Sequence, residues 1–385
     1  MEMWIEKKDC TGCGACSNIC PVNAIKMVED ECGFMYPKID NEKCINCGAC
    51  KRTCPVFEKR KNSNYEKPKV YAGWSKDENT RYTSTSGGMF TEFTLPLVNE
   101  GGYVIGAAYD DNNMVKHIAV NNKTGLEKLK QSKYVQSKTG NIYKETKLLL
   151  DENKKVAFCG APCQIVGLKN FLKKDYEHLL TIEFICRGMN SQKAYRMWLK
   201  QIENKENKRI KRVWFKYKIN GWKKSPRCTR IDFEDDTYKV YNGDNNTYMT
   251  GYLGPNLYIR PSCGECKFNG VQRQADITLA DFWGIKKELD NDKGTSLILI
   301  NSEKGMKYFN KIKNKIFYEE RNIEEIYEGN MCFNNSVTIN KNSSKFLKEL
   351  SDNNFDKLIK KYDNSNSTMS KVKKKVKQII TKIIK

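Results

Sequence analysis

Cysteine stands at positions 10, 13, 16 and 20, and again at 44, 47, 50 and 54, with Pro21 and Pro55 closing the two runs. Thiolates are soft ligands, and Cys-x2-Cys-x2-Cys-x3-Cys-Pro is the spacing that wraps cubane [4Fe-4S] clusters. Three close thiolates on a tight loop cover three iron corners, and only a distant residue reaches the fourth. The expectation is therefore crosswise. One cluster takes Cys10, Cys13, Cys16 and Cys54, and the other takes Cys44, Cys47, Cys50 and Cys20. Gly12, Gly14 and Gly48 let the backbone curl around them. Structural zinc prefers paired Cys-x2-4-Cys elements set apart by a spacer. A disulfide framework does not suit a chain that opens on Met1-Glu2-Met3-Trp4 with no signal peptide. Electron transfer is the working function.

The chain has 385 residues, enough for a small cluster module and a larger body with its own core. No run of eighteen apolar residues occurs, so no membrane span is expected. Sixteen cysteines point to a reducing, cytoplasmic setting. The formal charge of +22 overstates the loaded protein's charge, because each oxidised cubane with four thiolates carries about −2. The remainder attracts acidic partners: small acidic ferredoxins, phosphorylated substrates, nucleic acid or anionic membrane.

The elements that must position these residues can be read along the chain. Residues 1–60 form a bacterial-type 2[4Fe-4S] ferredoxin module, and 61–69 a linker. The body, 70–345, opens with the strand Val70–Trp74, a Ser/Thr-Gly-Gly loop at 83–88, an apolar-periodic helix from Met89 to Val98, and the strand Gly101–Tyr109, read as one unit. Small residues with free amides at a helix start can cradle a pyrophosphate or simply cap the helix. No Gly-x-Gly-x-x-Gly fingerprint and no Walker loop is present, so neither a standard NAD site nor ATP hydrolysis is supported. The fold class is α+β: the ferredoxin module, then an α/β flavin-binding body with an antiparallel insertion at 209–258.

A second group of cysteines falls at strand ends. Lys155–Phe158 reads as a strand leading to Cys159-Gly160-Ala161-Pro162-Cys163-Gln164, with Cys163 in the first turn of the next helix. Cys186 follows the strand Thr181–Ile185, and Cys263-x2-Cys266 completes a candidate quartet. In open α/β sheets ligands collect at the carboxyl ends of strands. Cys32, Cys228 and Cys332 read as buried small hydrophobes. Cys159 reads either as a substitute ligand or as packing.

The chain resembles the beta-subunit family of coenzyme F420-reducing hydrogenases and dehydrogenases, which are iron-sulfur flavoproteins. The motifs that carry the resemblance are the double ferredoxin run, the 83–88 loop, Ser132-Lys133-Tyr134-Val135-Gln136-Ser137, the stretch Gly160–Leu168, Cys263-Gly264-Glu265-Cys266-Lys267-Phe268 and the stretch Ala275–Gly284. The resemblance implies FAD, a third [4Fe-4S] cluster on Cys163, Cys186, Cys263 and Cys266, and redox exchange with a substrate at the flavin. For the flavin it directs attention to Ser84, Ser86, Gly87, Gly88, Lys133, Tyr134, Gln136 and Ser137. Asp276 and Asp281, flanking a buried strand, rank as structural first.

In the insertion, Val213–Ile219 meets Asn220-Gly221, which indicates a hairpin, and Thr229–Phe233 turns through 234–236 into Thr237–Tyr241. Trp222, Lys223, Lys224, Arg227, Arg230 and Tyr248 there could cover a flavin and present cations to an anionic substrate. A nucleic-acid surface would leave the clusters unexplained. Only His117 and His178 are present, and no catalytic base can be named. Residues 346–385 read as a helical region whose end, 371–385, has seven lysines, no acids and apolar residues at helical spacing, as for a helix lying on an anionic membrane surface. The leading reading is a ferredoxin-linked, FAD-dependent reductase or dehydrogenase acting on a small organic substrate. The alternatives are a non-catalytic electron-transfer subunit of a larger redox complex, or an F420-linked oxidoreductase.

Overall fold

The computed structural model describes residues 4–58 and 64–363; the basic tail lies outside them. Near the N-terminus two short helices, Ala15–Ile19 and Ala49–Thr53, repeat one local design. Each starts after a left-handed glycine, Gly14 (φ 78°) or Gly48 (φ 69°), and ends on an extended cysteine, Cys20 or Cys54. A side chain at the glycine positions would be strained, so the turn that bunches three cysteines depends on them. Between the repeats, β1 (Ile25–Glu29) and β2 (Met35–Ile39) pair as an antiparallel hairpin with Met27 opposite Pro37.

The body is built on an eight-stranded mixed sheet. Its strands are β3 (Lys69–Ser75), β4 (Tyr103–Tyr109), β5 (Val115–Val120), β6 (Val156–Gly160), β7 (Leu179–Phe184), β11 (Ile277–Asp281), β12 (Ser296–Ile300) and β13 (Ile316–Arg321), in the order β13-β3-β12-β11-β7-β6-β4-β5. β3, β11, β7, β6 and β4 run one way, and β12, β13 and β5 the other. β3 and β4, read from the sequence as one unit, share this sheet and direction, but β12, β11, β7 and β6 lie between them. Alternation along the strands serves two cores. Val104 and Ala157 join the helices Met89–Asn99 and Glu303–Ile312 on one face. Ile105 and Phe158 join the helices Ile142–Asp151 and Pro162–Leu172 on the other, where Cys13 and Ala15 of the cluster module also pack.

The insertion is a three-stranded antiparallel sheet, β8 (Ile210–Phe215), β9 (Cys228–Phe233) and β10 (Tyr238–Asn242), in the order β10-β9-β8. The β9–β10 turn falls where the sequence indicates it. Asn220-Gly221 does turn the chain, the Gly221 amide donating to the Lys218 carbonyl at 3.0 Å, but it does not close a two-residue hairpin. β8 instead pairs with β9 across a longer connection, because Trp222 is drawn away to stack on Trp283 (4.3 Å, 4°) and to donate its indole N–H to Asp281. Lys216 forms an ion pair with the same carboxylate. Those two contacts fasten the insertion over the end of β11. Asp276 is structural, as ranked: its carboxylate accepts from the Thr181 amide and hydroxyl and from Ser302.

The expected linker holds to the body wherever it is described. Asn64 donates to the carbonyls of Arg273 and Ala275, and the Tyr65 amide to that of Asn301. Farther on, the helix Ser343–Glu349 runs across the expected division at residue 345. With Phe355–Tyr362 it packs against Trp198 and Tyr248 in the largest apolar cluster.

His117, on β5, is buried with Nδ1 against the Ser137 hydroxyl and Nε2 against the Cys159 carbonyl. Burial pulls its pKa down to about 4. The folded value lies below the unfolded value of about 6.5, so between them the unfolded chain binds the extra proton. Stability from this group is full above that range and is lost as pH falls through it. In denaturant titrations the stability gap between wild type and His117→Gln is therefore expected to shrink by roughly 2 kcal/mol from pH 7 to pH 5. A gap independent of pH would contradict this.

Candidate iron-sulfur centres

The two N-terminal groups assemble crosswise. Cys20 lines one cavity with Cys44, Cys47 and Cys50, while Cys54 stands with Cys10, Cys13 and Cys16. The groups differ in exposure. Cys10, Cys13, Cys16 and Cys54 are all buried, whereas Cys47 is exposed and Ile45 beside it is 61% exposed. Burial pushes the Cys13 thiol up to about 12, with the neighbouring Cys54 and Cys10 adding to the rise. Such thiols ionise only against a compensating cation, the behaviour expected of ligands whose protons leave when metal enters. In the outer group the Ala24 amide already donates to Cys20 Sγ at 3.2 Å.

The third group forms where the carboxyl ends of β6 and β7 meet the turn Pro261–Glu265. Cys163 sits in the first turn of the helix Pro162–Leu172, Cys186 two residues beyond β7, and Cys263 and Cys266 in or beside the turn. All four line one cavity of about 580 Å³, counting its open mouth. The amides of Gly188 and Met189 donate to Cys186 Sγ and Cys263 Sγ, both at 3.4 Å. Burial and mutual proximity push the Cys163, Cys186 and Cys263 thiols up, Cys263 to about 11. Among the described residues no set of three or more His, Cys, Asp or Glu side chains is gathered closely enough for a single ion. A four-thiol shell around a cavity suits a polynuclear cluster better than one zinc, whose Zn–S bonds of about 2.3 Å need the sulfurs drawn together. Cys159 lies on β6 and packs in the core on the Met89–Asn99 side, so it is packing rather than a cavity thiol. Cys332, read from the sequence as a small hydrophobe, lines the cavity as a fifth thiol. No motif spacing marks it.

The inner and third groups touch. Thr11, between two inner cysteines, lines the third cavity, and a Cβ on Gly167 would come within 3.1 Å of Cys13 Sγ. The junction is tied by Arg260, which is fully buried. Its guanidinium donates to the Cys10 carbonyl (2.6 Å), Gln136 Oε1 (2.9 Å) and the Met35 carbonyl (2.9 Å), and its Cζ lies 4.3 Å from the centre of the Tyr36 ring. Gly12 is required here, because a Cβ would meet Gln136, Arg260 and the Met35 carbonyl within 2.8 Å.

The residues expected to hold a flavin divide. Gln136 and Ser137 belong to the junction: the Gln136 amide donates to the Thr11 and Gly12 carbonyls, and the Ser137 hydroxyl holds His117 and accepts from Gln164. Tyr134 packs its ring against Phe215 and Tyr252. Ser84 follows the helix Glu78–Thr83, Ser86 donates to the Thr295 carbonyl, and Gly88 opens the helix Met89–Asn99 in the left-handed region. A Cβ on Gly87 would meet the Gly73 carbonyl at 2.5 Å, so that glycine serves close packing on β3. The 83–88 loop is joined to the 131–133 segment by Thr85 to Ser132 and by Gln131 to the Thr83 carbonyl.

Two buried ammonium groups border this loop. Lys133 donates to the carbonyls of Leu129, Lys130 and Gln131, and Lys218 to those of Arg81, Ser86 and Lys293. Burial pulls each down to about 7, and among the described residues neither forms an ion pair with a carboxylate. An anion bound beside this helix start would hold both lysines in their charged form, as a pyrophosphate would. Lys218 was not singled out in the sequence. Of the four insertion cations that were, Lys223, Arg227 and Arg230 pair with Asp290, Asp244 and Asp232.

Residues 153–326 match the family model that describes the C-terminal part of the beta subunit of coenzyme F420 hydrogenase/dehydrogenase. Residues 9–57 and 40–102 each match a 4Fe-4S dicluster domain. No curated protein gives a significant match. Among solved structures, a chain of the F420-reducing [NiFe] hydrogenase complex from Methanosarcina barkeri aligns with 15% identity and a TM-score of 0.45, covering 80% of this chain and 93% of that one.

Replacing Arg260 by Met keeps the bulk and strands three acceptors. The expected result is a loss of about 3 kcal/mol or more in stability and a drop in bound iron. Unchanged unfolding and unchanged iron would show that the junction does not depend on this fork.

Proposed function

We propose, from the premise that this chain belongs to the coenzyme F420 hydrogenase/dehydrogenase beta-subunit family and carries a 4Fe-4S dicluster domain, that it is an iron-sulfur electron-transfer subunit of a hydrogenase- or dehydrogenase-type redox complex. The observation that carries this reading is the graded, contiguous series of three thiol groups, exposed at Cys47, buried at Cys13 and continued by Cys163. Twelve cysteines would hold three clusters: Cys20, Cys44, Cys47 and Cys50; Cys10, Cys13, Cys16 and Cys54; and Cys163, Cys186, Cys263 and Cys266. FAD would lie against the 83–88 loop, where the charge of Lys133 and Lys218, held by backbone carbonyls, would favour an anionic group. When bound, the clusters supply single-electron transfer, and the flavin converts between one- and two-electron chemistry.

The chain's own residues do the rest. Cys47 and its exposed surroundings admit an external carrier such as reduced ferredoxin to the outer group. Burial keeps water from the inner one. Arg260 places a fixed positive charge between the inner and third groups and favours the Cys263 thiolate. The second reading, a self-contained FAD-dependent reductase of a small anionic substrate, is favoured by one observation: the two buried ammonium groups without carboxylate partners at the 83–88 loop. No described helix is long and apolar enough to cross a membrane.

Anaerobically purified protein is expected to carry about twelve irons per chain, falling by about four in Cys163→Ala. Lys218→Met should lower bound flavin several-fold with iron unchanged. Full iron in the Cys163 variant would remove the third centre, and full flavin in the Lys218 variant would remove the proposed role of its charge. Reduction of a small molecule by this chain alone, with no partner subunit, would favour the second reading.

A further inference from the structure

A cubane takes four thiolates, yet five thiols line the third cavity. The fifth, Cys332, comes from the short turn Met331–Phe333, beyond the stretch that matches the family model. Its placement is built. The Phe333 carbonyl accepts from the Gly270 amide, and the Ser336 hydroxyl accepts from the Cys266 amide at 2.8 Å. Asn335, Ser336 and Val337 line the same cavity, so the segment forms part of its wall and carries Cys332 in with it. Cys332 is close enough to Cys186 and Cys266 for their charges to interact, and it shares the neighbouring Arg187 cation with that side of the cavity.

We propose that Cys332 is a reserve ligand of the third cluster, able to take the coordination position of Cys186. This rests on the assignment of a [4Fe-4S] cluster to the cavity. The exchange moves no electrons. The Fe–S bond to Cys186 breaks and that sulfur gains a proton, while the Cys332 thiol loses a proton as its own Fe–S bond forms. Cys186 is the ligand to be replaced because it follows β7 on an irregular segment, whereas Cys163 is fixed by a helix and Cys263 and Cys266 by one turn.

The test compares iron content and the low-temperature electron paramagnetic resonance of the reduced protein in four anaerobically purified full-length chains. Cys332→Ala is expected to keep the wild-type iron. Cys186→Ala should also keep it, with a shifted signal from the third centre, because one ligand has changed. The double variant should lose about four irons. Serine in place of alanine at 186 repeats the test should the alanine chain fail to accumulate. Loss of the third centre in Cys186→Ala alone, or in Cys332→Ala alone, overturns the reserve role while leaving the cluster assignment standing. If the wild type itself holds only about eight irons, the underlying assignment fails instead.

Discussion

A guanidinium buried without a carboxylate partner among the described residues is costly, and the arrangement of this protein turns on how Arg260 is accommodated. Its donors are met by two carbonyls of the cluster module and one amide oxygen of the body, and its face by an aromatic ring. The fork therefore welds the N-terminal module to the sheet-based body. It sits three residues before Cys263 and on the carbonyl of Cys10, so one side chain fixes the spacing between two thiol groups. Four thiolates around iron carry net negative charge, so were both groups loaded, the cation between them would lower the cost of bringing two such centres together.

The body contributes a second constraint. β6, β7 and β11 are parallel neighbours, and their carboxyl ends open on one side of the sheet. There the chain must turn, and cysteines can be grouped from segments far apart in sequence. The insertion closes over β11 through Trp222 and Lys216, both held by Asp281. An acidic residue at the end of an apolar strand thereby becomes the anchor for a whole subdomain.

Much of this was legible in the residues themselves. The repeat of Cys-x2-Cys-x2-Cys-x3-Cys-Pro predicts local geometry, because its turns need left-handed glycines and a fixed count of residues. Strands such as β3 and β6, and the helix Pro162–Leu172, announce themselves by apolar runs and by proline at a helix start. The order of strands did not follow, since the pairing of β3 with β12 and β13 is settled by packing between distant segments. Asn220-Gly221 makes its turn, but the stacking of Trp222 on Trp283 lengthens the connection between β8 and β9 beyond what that turn suggests. Gln136 looks like a ligand contact in a polar motif, but its partner Arg260 lies 124 residues away. Cys332 carries no spacing signal at all, because what makes it a cavity thiol is the path of the 331–337 segment.

The distance in sequence between the two halves of the Arg260 contact has a consequence in time. The guanidinium binds the Cys10 carbonyl across 250 residues. At a synthesis rate of about 5–20 residues per second, Cys10, Cys13 and Cys16 leave the ribosome roughly 12–50 s before the side chain that seals them. During that interval the inner thiols stand open, so the cell has a window for delivering iron before the body folds over the module.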